Sequence, residues 1–274
     1  MIRGHNLKGV VMDLGIEGKV ALVAASSTGI GRAVARALAT EGCKVAICAR
    51  RREPLLDAAL AIERDTGADL FAVTGDVGVL SDALNITREV RARFGRIDIL
   101  VNNAGGPRPG AFEDLGPDAW DEAFRLNLRS AVLLCREVVP GMKERRWGRI
   151  VNLTSISVKQ PIDGLMLSNS LRAGVAGFSK TLANECGPFN VLVNTVCPGY
   201  TLTDRLTELA EIRAREAGTT NQEIMRTMAQ AVPLRRIGEP GEIADLVAFL
   251  CSERAAYLTG TVIQVDGGLC RGLL

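Results

Sequence analysis

From residue 19 the chain alternates short apolar runs with longer stretches in which apolar residues recur every three or four positions. The runs KVALVAA and RIDILV lack regular polar alternation, which is typical of strands covered on both faces. Alternation of such strands with amphipathic helices predicts repeated βαβ units around a parallel sheet. The predicted strands cover residues 19–25, 44–49, 69–74, 97–102, 148–154, 190–196 and 261–265. The predicted helices include residues 30–41, 80–94, 120–145 and 172–186.

This pattern predicts one α/β domain over residues 16–270, a Rossmann-type doubly wound sheet of seven parallel strands with helices on both faces. Residues 1–15 lack the apolar region and cleavage site of a signal peptide and are predicted to form a tail. Met12 is an alternative start, which would make residues 1–11 dispensable. Two charged helical patterns in residues 204–237 predict a lid over the carboxyl edge of the sheet.

Composition excludes several classes of function. The 274 residues carry 33 Lys and Arg against 31 Asp and Glu, without a dense basic run, so we expect neither a nucleic-acid nor a membrane partner. The seven cysteines form no C-x-x-C pair and are expected to be apolar fillers in a reducing cytoplasm. Since His5 is the single histidine, catalysis by a Ser-His pair and multi-histidine metal sites are excluded.

A glycine-rich turn follows the first predicted strand, with the sequence Ala24-Ala25-Ser26-Ser27-Thr28-Gly29-Ile30-Gly31. Such a turn lets the backbone approach a pyrophosphate, while the N-terminus of the next helix supplies free N–H groups. Two glycines alone are weak support, because a tight turn in which Gly31 packs on the sheet would have the same sequence.

Further residues at the ends of predicted strands form an ordered set: Asp76-Val77, Asn102-Asn103-Ala104-Gly105, Ser155, Pro198-Gly199 and the closing Gln264-Val265-Asp266-Gly267-Gly268. With Asn127 in the long fifth helix, this set resembles the short-chain dehydrogenase/reductase family, in particular its branch similar to 3-oxoacyl-(acyl-carrier-protein) reductase. The resemblance covers about residues 14–270.

The resemblance implies a nicotinamide dinucleotide cofactor, with the glycine-rich turn at the pyrophosphate and Asp76 at the adenine. The implied cofactor-binding residues are Ala25, Ser27, Thr28, Gly29, Ile30, Gly31, Arg50, Arg51, Asp76, Val77, Asn103, Ala104, Gly105, Arg172, Pro198, Gly199 and Thr203. Alternatives remain for some of them: Asp76 as a helix cap, Asn103 as a brace between strands, and Pro198 and Gly199 as a strand end. The family has glycine at Ala25, so a positive φ there would cost about 1–2 kcal/mol.

The end of the second strand reads Cys48-Ala49-Arg50-Arg51-Arg52, without the carboxylate that would accept a hydrogen bond from a ribose 2′-hydroxyl. A guanidinium pairs with a 2′-phosphate, so NADP(H) is favoured over NAD(H), with Arg50 as the principal ligand. Ser27 or Thr28 would add a hydroxyl. The alternative is that the three arginines form a solvated start of a helix.

The resemblance also implies a catalytic tetrad, of which Ser155 and Asn127 occupy the serine and asparagine positions. Ser168 and Arg172 stand where the family has a tyrosine and a lysine. Serine is far less acidic than tyrosine, and arginine does not release a proton at neutral pH. A water bound by Ser155, Ser168 and Asn169 would then donate the proton. The two tyrosines, Tyr200 and Tyr257, are expected to be structural.

The sequence therefore predicts a cytoplasmic, homo-oligomeric NADP(H)-dependent oxidoreductase with an atypical proton donor, acting on a small carbonyl or alcohol substrate. The resemblance places tetramer contacts in the C-terminal segment and the long helices. The second hypothesis is a catalytically silent dinucleotide-binding protein with a regulatory or scaffolding role. Apolar lid residues such as Leu206, Leu209 and Met228 either line a substrate pocket or pack the two lid helices together.

Overall fold

Seven parallel strands form one sheet in the computed structural model, which describes residues 12–273. The strands are β1 Val20–Ala24, β2 Lys44–Ala49, β3 Leu70–Thr74, β4 Ile99–Asn102, β5 Gly148–Leu153, β6 Val191–Pro198 and β7 Val262–Val265. Their order, β3-β2-β1-β4-β5-β6-β7, confirms the predicted doubly wound sheet. The chain runs outward from β1 in one direction and from β4 in the other, which leaves a crevice at the carboxyl ends of these two strands. Residues 1–11 of the predicted tail, with His5, lie outside the described residues.

Helices cover both faces of this sheet, as predicted. They are α1 Gly29–Thr40, α2 Arg52–Thr66, α3 Leu80–Phe94, α4 Pro117–Ala123, α5 Ser130–Arg145, α6 Met166–Cys186, α7 Asp204–Ala217, α8 Asn221–Ala231 and α9 Pro240–Cys251. Ala21 and Val23 of β1 pack with α1, α2 and α9, whereas Leu22 and Ala24 pack with α3, α5 and α6. Successive strand residues thus enter opposite apolar cores, which explains why the run KVALVAA lacks polar alternation.

The helix predicted over residues 120–145 contains a widened turn. It begins at Pro117, where a proline suits the first helical position, and passes through a π-helical segment, Phe124–Arg129, into α5. A π-helical turn adds one residue per turn and rotates the side chains around the helix axis. Asn127, in this segment, is buried.

The helix predicted over residues 172–186 begins six residues earlier, at Met166. Ser168 and Arg172 therefore lie on one helix, α6, four residues apart and on the same face. The two predicted lid helices are α7 and α8. Thr203 and Thr220 cap their N-termini by accepting hydrogen bonds from the N–H groups of Leu206 and Glu223.

The cysteines pack as predicted. Six of the seven are buried, and the cysteines of the described chain form no disulfide. Burial raises the pKa of the Cys43, Cys48 and Cys135 thiols to about 12, so all three are neutral apolar fillers. Within residues 12–273, no helix combines the length and apolarity that a bilayer span requires.

Arg149, near the start of β5, is completely buried and joins distant segments. Its guanidinium donates hydrogen bonds to the carbonyl oxygens of Asn190, at 3.3 Å, and Ser252, at 3.5 Å. It also pairs with Glu253 at 3.3 Å and stacks over the Trp147 ring, 4.5 Å from its centroid. Burial lowers the pKa of Arg149, and Glu253 partly offsets this effect. The residue thus ties β5 to the end of α9.

The N-terminal end of the described chain meets the same region. The carbonyl oxygens of Asp13 and Leu14 accept hydrogen bonds from Arg254 and from the N–H of Glu253. Leu14 also packs against the core formed by α1, α2 and α9. These two residues, which the sequence places in the tail, are therefore held against the folded domain.

We predict that Arg149→Met lowers the free energy of unfolding by about 2–4 kcal/mol, because buried carbonyl groups and a carboxylate lose their donor. Urea unfolding followed by circular dichroism measures the change. Arg136→Met is the matched control: Arg136 is exposed on α5 and has no hydrogen-bond partner among the described residues, so its change stays within about 0.5 kcal/mol. Equal stabilities for the two variants would contradict a stabilising role for the Arg149 contacts between β5 and the end of α9.

Candidate active site

A cleft of about 680 Å³ opens at the carboxyl edge of the sheet. The segments that follow β1 to β6 form its floor, and α7 and α8 form one wall. All of the predicted cofactor-binding residues except Gly31 line this cleft, together with Ser155 and Ser168. Gly31 lies beneath the turn. Asn127 lines a smaller cavity, which shares Asn103, Ala104 and Arg172 with the cleft. The structure thus brings together predicted cofactor-binding residues that are up to 178 positions apart in the sequence, Ala25 and Thr203.

The glycine-rich turn is held against the strand end that follows β4. The Asn103 side-chain amide donates a hydrogen bond to the Ala25 carbonyl oxygen at 3.1 Å, so the bracing alternative for Asn103 is correct for this contact. A Cβ atom on Gly31 would lie 2.4 Å from that oxygen and 2.8 Å from the Asn103 amide nitrogen. No described side chain caps α1, and its first N–H groups remain free for an anion.

Ala25 adopts a φ of +47°, in the left-handed region that favours glycine. The strain that a positive φ at Ala25 implies is therefore present, at a cost of about 1–2 kcal/mol. The turn keeps its path because neighbouring bonds hold it. Sequence reasoning missed one of these: the buried Ser26 hydroxyl donates to the Val23 carbonyl at 2.7 Å and accepts from the Cys48 N–H at 3.2 Å. Nothing in the local sequence distinguishes Ser26 from its serine and threonine neighbours.

Two arginines lie where β2 ends. Arg50 and Arg51 are exposed and line the cleft, whereas Arg52 begins α2 outside it. Within the described chain, no carboxylate lies within 4.0 Å of the Arg50 or Arg51 guanidinium. This end of the cleft therefore carries two positive charges without an ion-pair partner within 4.0 Å, and Asp76 interacts with Arg50 only over a longer distance.

Asp76, after β3, has two local partners. One carboxylate oxygen accepts from the Gly78 N–H and the other from Arg125, both at 2.9 Å. Burial raises the pKa of Asp76, but the bonds from Arg125 and Gly78 lower it overall, so the group stays ionised. The alternative of a helix cap is wrong in this structure, because α3 has Val79 at its N-cap and no side-chain cap. One Asp76 oxygen instead stabilises the turn before α3, and the residue also lines the cleft beside Val77.

Three serines meet at the end of β5. The Ser155 hydroxyl accepts from the Ser157 N–H at 3.2 Å, and the Ser157 and Ser168 hydroxyls lie 3.3 Å apart. Sequence reasoning missed Ser157, although its spacing of two from Ser155 is a local signal. The predicted part of Asn169 in holding a water is wrong in this structure. Both ends of its amide bond the Ile162 backbone, at 3.1 and 3.0 Å, and it does not line the cleft.

Arg172 lies in the cleft floor with 8% of its surface exposed. Its guanidinium donates to three backbone carbonyls, at 3.4 Å to Leu153, 3.0 Å to Thr154 and 3.5 Å to Gly105. Burial, and next the positive charge of Arg205, lower the pKa of Arg172 to about 10, so the side chain remains charged at neutral pH. It thus binds the ends of β4 and β5 together and cannot donate its proton near pH 7.

Asn127 faces a second, small cavity of about 10 Å³, close to the volume that one water requires. Its side-chain N–H group donates to the Gly105 carbonyl at 3.1 Å, whereas its buried Oδ1 accepts no bond from the described residues. Asn102 Oδ1, on the same cavity, is likewise without a donor. Two acceptors and a buried arginine, Arg172, therefore surround this space.

The lid helices contribute both apolar and charged groups. Leu206, Leu209 and Met228 line the cleft, and Leu206 and Met228 also pack against each other's helices, so both sequence alternatives hold. Tyr200 lines the cleft and packs against the lid core, whereas the Tyr257 side chain is fully exposed and lies outside it.

Comparison with known proteins agrees with this geometry. Residues 24–270 match the family model described as enoyl-(acyl carrier protein) reductase. The chain is 38% identical over 260 residues to 3-oxoacyl-(acyl-carrier-protein) reductase FabG of Aquifex aeolicus, covering 94% of this chain and all of that protein. It is 35% identical to acetoacetyl-CoA reductase of Shinella zoogloeoides, covering 91% and 98%. The chain belongs to the short-chain dehydrogenase/reductase family.

Among solved structures of this family, L-sorbose reductase of Gluconobacter frateurii, complexed with NADPH and L-sorbose, is similar to the chain. The two share 36% identity and superpose with a TM-score of 0.91, covering 96% of this chain and all of that one. This agreement confirms the predicted fold class and the resemblance to the short-chain dehydrogenase/reductase family.

We predict that Ala25→Gly raises the free energy of unfolding by about 0.5–1 kcal/mol, because relief of the positive φ exceeds the entropy that glycine adds to the unfolded chain. Urea unfolding of the unliganded protein measures the shift. Ala24→Gly, one residue earlier in buried β1, is the matched control and lowers stability. A loss of stability in both variants would show that the turn at residue 25 carries no strain.

Proposed function

We propose that this chain is an NADP(H)-dependent oxidoreductase that interconverts a carbonyl compound and an alcohol. The observation that carries the proposal is the cleft itself, where the glycine-rich turn, Ser155 and Arg172 meet at the point where the strand order reverses. The names of three similar proteins support the proposal, since 3-oxoacyl groups, acetoacetyl groups and L-sorbose all contain a carbonyl. When bound, the dinucleotide supplies or accepts the hydride.

The residues present fit such a cofactor. The free N–H groups at the start of α1 suit a pyrophosphate, and the space left by the missing Cβ of Gly31 is what allows the turn to lie so close to Asn103. Val77 and Ala104 offer apolar contact for the adenine and the ribose side. Thr203 lies beside Gly29: a Cβ atom on Gly29 would be 3.3 Å from the Thr203 methyl carbon. These contacts support a dinucleotide along the floor of the cleft.

The preference for NADP(H) rests on Arg50 and Arg51. Both are free of carboxylates in the described chain, and a 2′-phosphate supplies the negative charge that they lack. No acidic side chain follows β2 before Glu53, inside α2, so a ribose 2′-hydroxyl has no carboxylate acceptor there.

We predict that Arg50→Gln weakens NADPH binding about ten-fold or more, the usual value of one charge-assisted hydrogen bond, and leaves NADH binding nearly unchanged. Fluorescence titration measures both affinities. Arg52→Gln, just outside the cleft, is the matched control and affects neither cofactor. Equal losses for NADPH and NADH in Arg50→Gln would argue against a phosphate contact.

The proton donor is the unusual part of the proposal. We assign to Ser155 the role of orienting a substrate carbonyl. The Ser168 hydroxyl lies 3.3 Å from that of Ser157, and its side chain is too short for it to replace a phenol directly. A water beside these serines is the donor we propose, with the fixed charge of Arg172 stabilising negative charge on the oxygen. The Asn127 Oδ1, which accepts no bond from the described residues, faces a small cavity that Arg172 also lines, and this supports a water chain to the site.

The same features favour a second candidate, a dinucleotide-binding protein without turnover. Arg172 is bonded to three carbonyls and keeps its proton at neutral pH, so it can hold a cofactor without serving in proton transfer. A single experiment separates the two candidates.

We predict that the wild-type protein oxidises NADPH with a carbonyl substrate and that Ser168→Tyr/Arg172→Lys does not increase the rate, because a water already supplies the proton. Absorbance at saturating NADPH over a panel of ketones and aldehydes measures turnover. The single variants serve as controls for folding and for cofactor affinity. If the wild type binds NADPH without turnover and the double variant gains it, the chain is a dinucleotide-binding protein instead.

We also propose that the protein is a cytoplasmic homo-oligomer. Free buried thiols fit a reducing compartment. Exposed apolar side chains near the edge strand β7, including Tyr257 and Leu234, support contact between copies, as most soluble assemblies are symmetric.

A further inference from the structure

The half of the cleft beyond Ser155 combines an apolar surface with arginines. Ile162, Leu165, Leu209 and Met228 supply the apolar surface. Three guanidinium groups also line this half: Arg172 from the floor, and Arg205 and Arg213 from α7. One carboxylate of α7, Asp204, lies on the rim, nine residues and about 13 Å along the helix from Arg213.

The three arginines differ in how far their charges are compensated. Arg205 pairs with Glu208 at 2.8 Å and donates to the Pro107 carbonyl at 2.7 Å. Arg172 is held by backbone carbonyls in the floor. Arg213 is half-buried and, among residues 12–273, has neither a hydrogen-bond partner nor an ion-pair partner. A partly desolvated cation without a partner raises the free energy of the empty cleft, and an anion in the cleft would lower it.

The position of Arg213 fixes where that anion lies. Leu206, Leu209 and Arg213 are spaced by three and four residues and therefore share the face of α7 that lines the cleft. Seven residues of helix place Arg213 about 10 Å beyond Leu206. A ligand that reaches from Ser155 to Arg213 must therefore pass along an apolar wall and end in a negative charge.

We propose that the substrate is an oxo acid, in which an apolar chain separates the reacting carbonyl from a carboxylate that binds Arg213. One free guanidinium matches one negative charge, and its planar donors match a carboxylate. The inference rests on the proposed oxidoreductase function and adds a substrate class to it. Leu209 and Met228 contact the methylene chain, and Arg205 adds a more distant positive charge.

Titration calorimetry without cofactor tests the carboxylate site directly, using 7-oxooctanoate and its methyl ester as probes. In the wild type, the acid binds about ten-fold or more tightly than the ester, as expected for one charge-assisted hydrogen bond. In Arg213→Gln this preference disappears while the ester binds as before. Arg215→Gln is the matched control, because Arg215 is exposed on the same helix and bonded only to the Glu211 carbonyl within its own turn; it keeps the preference.

Equal binding of acid and ester by the wild type, or a preference that persists in Arg213→Gln, would overturn the proposal. The proposal would also be overturned, in favour of a phosphate-bearing ligand, by a third result. In it, acetoacetyl-CoA binds more tightly than 7-oxooctanoate in an Arg213-dependent way, while the acid and its ester bind equally. Turnover and NADPH affinity are measured separately on the same proteins. A silent enzyme that still discriminates acid from ester would refute the proposed reaction and leave the carboxylate site standing.

Discussion

The floor of the cleft depends on one buried charge. Arg172 has almost no contact with solvent, and its guanidinium is satisfied by carbonyl oxygens from the ends of two neighbouring strands. A buried cation without these acceptors would be very unfavourable, so the charge requires the segments after β4 and β5 to stay where their carbonyls point inward. Those segments also carry Gly105 and Ser155. The arginine therefore positions the chemistry of the cleft through the backbone, not only through its own donors.

The glycine-rich turn illustrates a second constraint, in which neighbours tolerate a locally unfavourable residue. Ala25 has a backbone conformation that suits glycine, yet its carbonyl is fixed by Asn103 and the following Ser26 is bonded to both β1 and β2. Such strain persists where the surrounding structure determines the conformation. Gly31, in contrast, tolerates no side chain, because even a methyl group there would collide with the backbone. The two positions explain why a departure from the family pattern is possible at one and not at the other.

Much of this organisation can be predicted from the sequence. Strands buried on both faces have a clear pattern, and each lies within two residues of its predicted position. Residues that follow parallel strands converge at one edge, so the cleft lining was also predictable. The hydrogen-bond partners of individual side chains in the cleft were not predictable. Asn169 serves the Ile162 backbone, Ser157 engages Ser168, and the π-helical turn places Asn127 behind the cleft. Each of these depends on distances between elements, which periodicity alone does not contain.

The lid gives an intermediate case. The sequence predicted two charged helices but left their apolar residues between two roles, because a helix face can pack on its neighbour and border a cavity at the same time. Leu206 does both, while Leu209 borders the cleft and Ile224 packs within the lid. The orientation of α7, which decides which of its arginines faces inward, emerges only from the packing of the lid on the sheet.

The guanidinium at position 172 has one more consequence, for how this protein responds to its surroundings. Arg172 keeps its charge up to about pH 10, the Cys48 thiol in the lining stays neutral to about pH 12, and Asp76 is held ionised. No histidine lines the cleft within residues 12–273. These three groups thus give the site the same charges across the ordinary acidity range of a cell. The electrostatic field that these three groups create in the cleft is therefore constant over that range.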